Sequence, residues 1–115
     1  MDSACLFCRL VAGEIPADKV METDHSIAFR DIQPVAPTHI LIAPKAHVVS
    51  LDHLDTEDEE AKELWADLAN IARQLGRDFP QGWRLVTNIG DQGGQSVHHL
   101  HLHFLAGRQF TWPPG

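Results

Sequence analysis

The chain has 115 residues, 43% of them apolar and 22% charged, with a formal net charge of −7; this suits one globular domain and is too short for two cores. Its nine Lys and Arg residues are scattered, which argues against a nucleic-acid groove, since such grooves neutralise many phosphates at once, yet leaves room for a small phosphorylated ligand. No apolar run approaches the roughly 20 residues of a membrane span, and Met1-Asp2-Ser3-Ala4-Cys5 lacks the basic and apolar regions of a secretory leader, so no membrane partner and a cytoplasmic location are expected.

In chain order, Leu6 to Ala12 reads as a short helix stopped by Gly13. Lys19 to Glu22 reads as a brief strand and Ser26 to Ile32 as a better one, with Ile27 and Phe29 on one face. A proline turn at Gln33 to Pro37 leads to an apolar strand, His39 to Ala43, closed by Pro44. A long helix follows. Thr56 with Glu59 forms a capping box, Leu64, Trp65, Leu68, Ile71, Ala72 and Leu75 recur at helical spacing, and Gly76 is placed to end it. This stripe is core packing and is given no function. Trp83 to Asn88 and Val97 to Leu105 complete about five strands. With two helices, and runs of strands rather than regular βαβ alternation, the chain is expected to be one α+β domain over 1–115, an antiparallel sheet with helices on one side.

Eight histidines is a high count for this length, and the run His99-Leu100-His101-Leu102-His103-Phe104 is the densest group. In a strand, His99, His101 and His103 share one face and Leu100, Leu102 and Phe104 the other. Imidazole works near neutral pH as nucleophile, base or metal ligand. Gly93-Gly94-Gln95-Ser96 directly before it offers backbone N–H groups to an anion. Histidines beside a phosphate-sized cradle point to chemistry on a phosphate ester or amide. A solvated strand face or a zinc-binding His-x-His pair are the blander alternatives. Cys5-x-x-Cys8 is a redox pair, half of a zinc site or two buried thiols, and a redox pair lacks its βαβ setting here. His98 breaks the alternation and is expected on the core side.

The histidine run resembles the motif of the histidine-triad (HIT) family. The resemblance extends to Phe29-x-Asp31-Ile32, Ala36-Pro37-Thr38-His39, Ile42-x-Pro44-Lys45-x-His47, Asn88, Gly93-Gly94-Gln95-Ser96-Val97 and the ending Gly107-Arg108-Gln109-x-x-Trp112-Pro113-Pro114-Gly115. Together these are similar to the Hint branch, whose members are purine nucleoside phosphoramidases. The resemblance implies a homodimer with a continuous sheet of ten strands and a tail near the neighbour's site. It implies cleavage of adenosine or guanosine 5′-phosphoramidates, with His101 as nucleophile forming an adenylyl-histidine, His103 donating to phosphate and Ser96 meeting the leaving group. Ile27, Phe29 and Ile32 would flank base or sugar, and Asp31 would accept the ribose hydroxyls. Asn88, Gly94, Gln95, Val97 and Trp112 would complete the nucleotide site. Hydrolysis of dinucleoside polyphosphates, or nucleotide binding with incidental activity, are the alternatives. Bacterial relatives in the superfamily further imply structural zinc on Cys5, Cys8, His47 and His99. His39 matches a family histidine behind the triad, and His53 has no derivable role.

Overall fold

The computed structural model describes residues 4–115; Met1 to Ser3, part of the start inspected for a leader, lie outside the described residues. The elements are α1 (Leu6–Val11), β1 (Lys19–Glu22), β2 (Ser26–Arg30), β3 (Thr38–Pro44), α2 (Glu59–Gly76), β4 (Arg84–Val86) and β5 (Leu102–Ala106), with a 3-10 turn at Leu51–His53. All strands pair antiparallel in one sheet of order β1-β2-β3-β5-β4. This is the α+β fold expected from the sequence, five strands with two helices. Among the described residues no helix is long and apolar enough to cross a membrane.

The helices lie on opposite faces of the sheet, not on one side as expected. The reason is legible in β2 and β3, where consecutive residues, not alternate ones, are apolar and buried, so both faces need cover. Ala28, Ile40, Ile42, Leu102 and Phe104 pack with Leu68, Ile71 and Leu75 of α2. Ile27, Phe29, Leu41 and Ala43 pack with Phe7, Cys8 and Leu10 of α1. His103 stands opposite Leu41 in the β3–β5 ladder, which assigns its side chain to the α1 face.

The two ends of α2 differ from expectation in their capping. Asp58, not Thr56, is the cap: its carboxylate accepts from the Ala61 N–H at 3.1 Å, while Asp55 forms the turn before it through the Glu57 N–H at 2.9 Å. Gly76 is the last residue of the helix, which thus ends where expected, but it takes no left-handed conformation: the Trp83 indole sits where a Cβ would stand. Close approach, not a left-handed cap, is why glycine is needed there.

The strand expected over 97–105 begins only at Leu102. Before it, backbone groups take partners other than the sheet ladder. The Leu100 N–H donates to Val48 O (2.6 Å), Thr87 Oγ1 to His101 O (2.9 Å) and Gln95 Nε2 to Val97 O (3.1 Å). His99 and His101 therefore sit on an irregular approach, and simple alternation does not describe the three histidines.

Candidate functional site

A cleft of about 850 Å³ opens on the α1 face of the sheet. It brings together Phe29, Asp31, Ile32, Ser96, Val97, His101 and His103 from three separate segments. Ile27 is buried in the core beneath it, 2% exposed, and is not part of the lining. Asn88 and Gly94 lie outside the lining as well. Gln95 is nearby but committed: its Nε2 donates to Val49 O (2.6 Å) and Val97 O (3.1 Å), and its Oε1 accepts from the Gly90 N–H (3.1 Å). Its amide shapes the loop and has little left for a ligand. Gly93 completes that loop, since a Cβ there would stand 2.2 Å from Ile89 O. Trp112 is 82% exposed and away from the cleft. The tail before it is held by Arg84 Nη2 donating to Thr111 O (2.9 Å) and by Phe110 between the guanidinium groups of Arg84 and Arg108. His98 is exposed, in contrast to its expected core position.

Hydrogen-bond partners fix which nitrogen of each histidine is available. His101 Nδ1–H donates to the His99 carbonyl at 2.7 Å, so the neutral ring keeps its lone pair on Nε2. The opposite tautomer is imposed on His103. The Val35 N–H donates to His39 Nδ1 at 3.2 Å, so neutral His39 carries its proton on Nε2. That N–H donates to His103 Nδ1 at 2.9 Å, with the Asp31 carboxylate 3.4 Å away. His103 must then carry its own proton on Nε2. One ring offers a lone pair and its neighbour, 5.0 Å away between centroids, offers an N–H. Asp31, His39 and His103 also place donor atoms within 4.8 Å of one another; the Val35 contact argues against a cation there, because it leaves His39 Nε2 protonated.

A second cluster lies behind the cleft. Ligand atoms of Cys5, Cys8, His47 and His99 all fall within 4.8 Å of one another. Cys5 Sγ is 3.2 Å and Cys8 Sγ 3.6 Å from His99 Nδ1, and Cys8 Sγ is 3.3 Å from His47 Nδ1. His99 Nε2–H donates to Pro44 O at 2.7 Å, which turns the Nδ1 lone pair toward the sulfurs. Tetrahedral zinc with bonds of about 2.0–2.3 Å needs donors roughly 3.3–3.8 Å apart; the three distances above lie at 3.2–3.6 Å, and a mixed thiolate and imidazole donor set suits zinc. Three of the four are buried, as in a closed structural site.

Residues 12–110 match the HIT domain. The chain belongs to the HIT family. This HIT protein is 47% identical to a HIT family hydrolase from Legionella pneumophila Philadelphia 1, with a TM-score of 0.90 over 96% of this chain and 99% of that one. A HIT family hydrolase from Clostridium thermocellum is 33% identical, with a TM-score of 0.89 over 96% of each chain. A 14 kDa zinc-binding protein of Zea mays is 42% identical over 116 residues, 99% of this chain and 90% of that protein.

Electrostatics in the HIT protein's cleft keep its imidazoles neutral. Burial holds His101 below the usual histidine range, partly opposed by its bond to the His99 carbonyl and by Asp31. Burial, then the neighbouring His101 and His39, push His103 down to about 4. His39 is lowered by burial against the pull of Asp31. At neutral pH the pair is therefore an uncharged ring with a free Nε2 lone pair beside an uncharged ring with an Nε2–H. Sequence reasoning missed the far wall: Leu6, Phe7 and Leu10 of α1 line the cleft with Ile15 and Leu41. The signal was present as an apolar i, i+4 pair on a helix carrying one more apolar residue than its core contact needs.

Proposed function

We propose that this protein is a nucleotide hydrolase that cleaves purine nucleoside 5′-phosphoramidates through a covalent intermediate on His101. The observation that carries the reading is the pair of opposed tautomers, Nε2 lone pair on His101 and Nε2–H on His103, at one end of an apolar cleft. The hydrolase names of the Legionella and Clostridium relatives support the reaction class.

In the first step His101 Nε2 attacks the α-phosphorus, a P–N bond forms to imidazole, and the P–N bond to the amine breaks. Ser96, exposed at the edge of the cleft, hands its hydroxyl proton to the departing amine and takes a proton back from the water that attacks in the second step. His103 Nε2–H donates to a phosphate oxygen as charge builds. Water then breaks the imidazole–phosphorus bond, releasing the nucleoside monophosphate and restoring His101. The base lies between Phe29, Ile32 and the α1 wall, and Asp31 accepts from the ribose hydroxyls. Apolar walls grip a purine without strongly distinguishing adenine from guanine. The 95% exposure of Ile32 fits a side chain waiting for a ligand.

Cys5, Cys8, His47 and His99 hold zinc in this reading, and the zinc supplies cross-linking of the N-terminal segment to the approach of β5. The maize relative's name is consistent with it. The protein works as a homodimer in the cytoplasm. β4 is a sheet edge with Leu85 41% exposed, and pairing two such edges builds ten strands and removes an open edge. The exposed Trp112 is then available to the neighbouring cleft. The deciding experiment is hydrolysis of an adenosine 5′-phosphoramidate against a dinucleoside polyphosphate. Preference for the amidate, with a trapped adenylyl-protein on His101, is expected. Faster cleavage of the polyphosphate would overturn the substrate class, and light scattering at monomer mass would overturn the dimer.

A further inference from the structure

The metal donor set and the nucleotide cleft share one short helix. α1 has six residues and its cap is Cys5, whose Sγ accepts from the Cys8 N–H at 3.3 Å. A helix this short is not stable by itself, so its position depends on what holds it. Cys5 and Cys8 tie it to His99 and His47. Between and just beyond these anchors stand Leu6, Phe7 and Leu10, which all line the cleft. Leu6 is 45% exposed although apolar, as suits a wall awaiting a ligand.

Phe7 ties the two sites more closely. Its ring meets His101 edge-on, with centroids 5.0 Å apart at 84°, and meets His99 at 5.8 Å and 68° and Phe29 at 5.4 Å and 80°. Such contacts favour one ring orientation over others. The ring thus stands against a donor of the cluster and against the nucleophile. The same His99 whose imidazole faces the sulfurs gives its carbonyl to His101 Nδ1–H.

We propose that α1 is a metal-clamped wall of the nucleotide cleft and that Phe7 is a positioning residue for His101, so that nucleotide affinity and nucleophile orientation follow metal occupancy. This rests on the reading of Cys5, Cys8, His47 and His99 as a zinc site. Loss of the metal frees both anchors of α1, loosens the Leu6 and Leu10 wall and withdraws the Phe7 ring from His101.

The test compares zinc-loaded protein with chelator-stripped protein, with zinc measured by atomic emission, AMP affinity by calorimetry and folding by circular dichroism. Stripping is expected to weaken AMP binding at least about tenfold, a change of about 1.4 kcal/mol, and added zinc to restore it. In zinc-loaded Phe7→Leu, kcat is expected to fall about tenfold through misorientation, a larger factor than the loss of AMP affinity from the altered cleft wall. The His101 ring-proton resonances shift in that variant as the Phe7 ring current is lost. Folded, stripped protein that binds AMP as tightly as loaded protein overturns the coupling alone. Protein that takes up no zinc overturns the metal reading and the coupling together. If stripping unfolds the chain, Phe7→Leu decides: wild-type kcat and unshifted His101 resonances overturn the proposal.

Discussion

The two ends of the histidine run are built from the same residue type and are held by opposite ring nitrogens. At His99 the backbone carbonyl of Pro44 takes the Nε2–H at 2.7 Å and leaves Nδ1 toward two sulfurs. At His101 the carbonyl of His99 takes the Nδ1–H at 2.7 Å and leaves Nε2 toward the cleft. At His103 a third partner, His39, takes the Nδ1 lone pair and leaves an N–H. Side-chain identity does not set which ring nitrogen is left over, or whether it carries a proton. The hydrogen-bond partner behind each ring does.

The largest way to break the comparison is to remove the nucleophile. His101→Ala is expected to lower phosphoramidate turnover by at least about a thousandfold and to abolish the trapped adenylyl-protein, with AMP binding still measurable by calorimetry. The apolar walls proposed to hold the base, Phe29, Ile32 and α1, keep their side chains in this variant. Retained turnover would show that His101 is not the attacking group.

Next in size is the metal end. Cys8→Ser removes a donor from a buried cluster and leaves its partners unsatisfied. Losing a structural metal is expected to cost about 3 kcal/mol or more, a fall of about 12 °C or more in Tm for a domain this size. Scanning calorimetry of zinc-loaded wild type and variant reads it directly. Equal Tm values would mean that the four residues pack as an ordinary core.

His39→Ala sharpens the comparison at the other end. Without the His39 N–H, His103 is free to carry its proton on either nitrogen, so only part of the population aims an N–H at the phosphate. A fall in kcat of about ten- to a hundredfold is expected, in the range seen when an orienting partner is removed, with AMP affinity little changed. His39→Gln, which restores an N–H donor, is expected to recover part of the loss. Equal rates in all three proteins would detach His39 from catalysis.

The sheet, its five strands and the long helix were legible because β2, β3 and α2 carry strong apolar patterns. The runs Ile27-Ala28-Phe29 in β2 and Ile40-Leu41-Ile42-Ala43 in β3, apolar at consecutive positions, also point to cover on both faces, which the expectation of helices on one side does not take into account. The Cys5, Cys8, His47 and His99 grouping was legible only through resemblance, since three segments far apart in sequence converge there. What the sequence could not display was direction. Nothing in Val97 to His101 announces that its backbone bonds go to Val48, Thr87 and Gln95 instead of a neighbouring strand. Nor does Gln95 announce that its amide is engaged by three backbone groups. Asn88 and Trp112 lie outside the cleft of a single chain, where short-range motif likeness carries no information on distance.

The smallest expected effect concerns pH, and it falls on His103. Its folded pKa is about 4 against an ordinary 6.5, so between those values the unfolded chain binds more protons than the folded one. Stability then rises with pH across that window. The contribution is complete above about 6.5 and is lost as pH falls toward 4. Burial also lowers His39 and His101, and the metal ligands must shed protons to bind, so the wild-type slope has several sources. His103→Gln keeps those sources and removes one. Urea midpoints measured at several pH values from 7 to 4 are expected to fall less steeply in the variant than in wild type. Identical slopes would mean that His103 is as easily protonated folded as unfolded, which is incompatible with a neutral donor held by His39. A shallower variant slope would separate the cleft end, where the folded state favours uncharged rings, from the Cys5 and Cys8 end, whose pH dependence the variant retains.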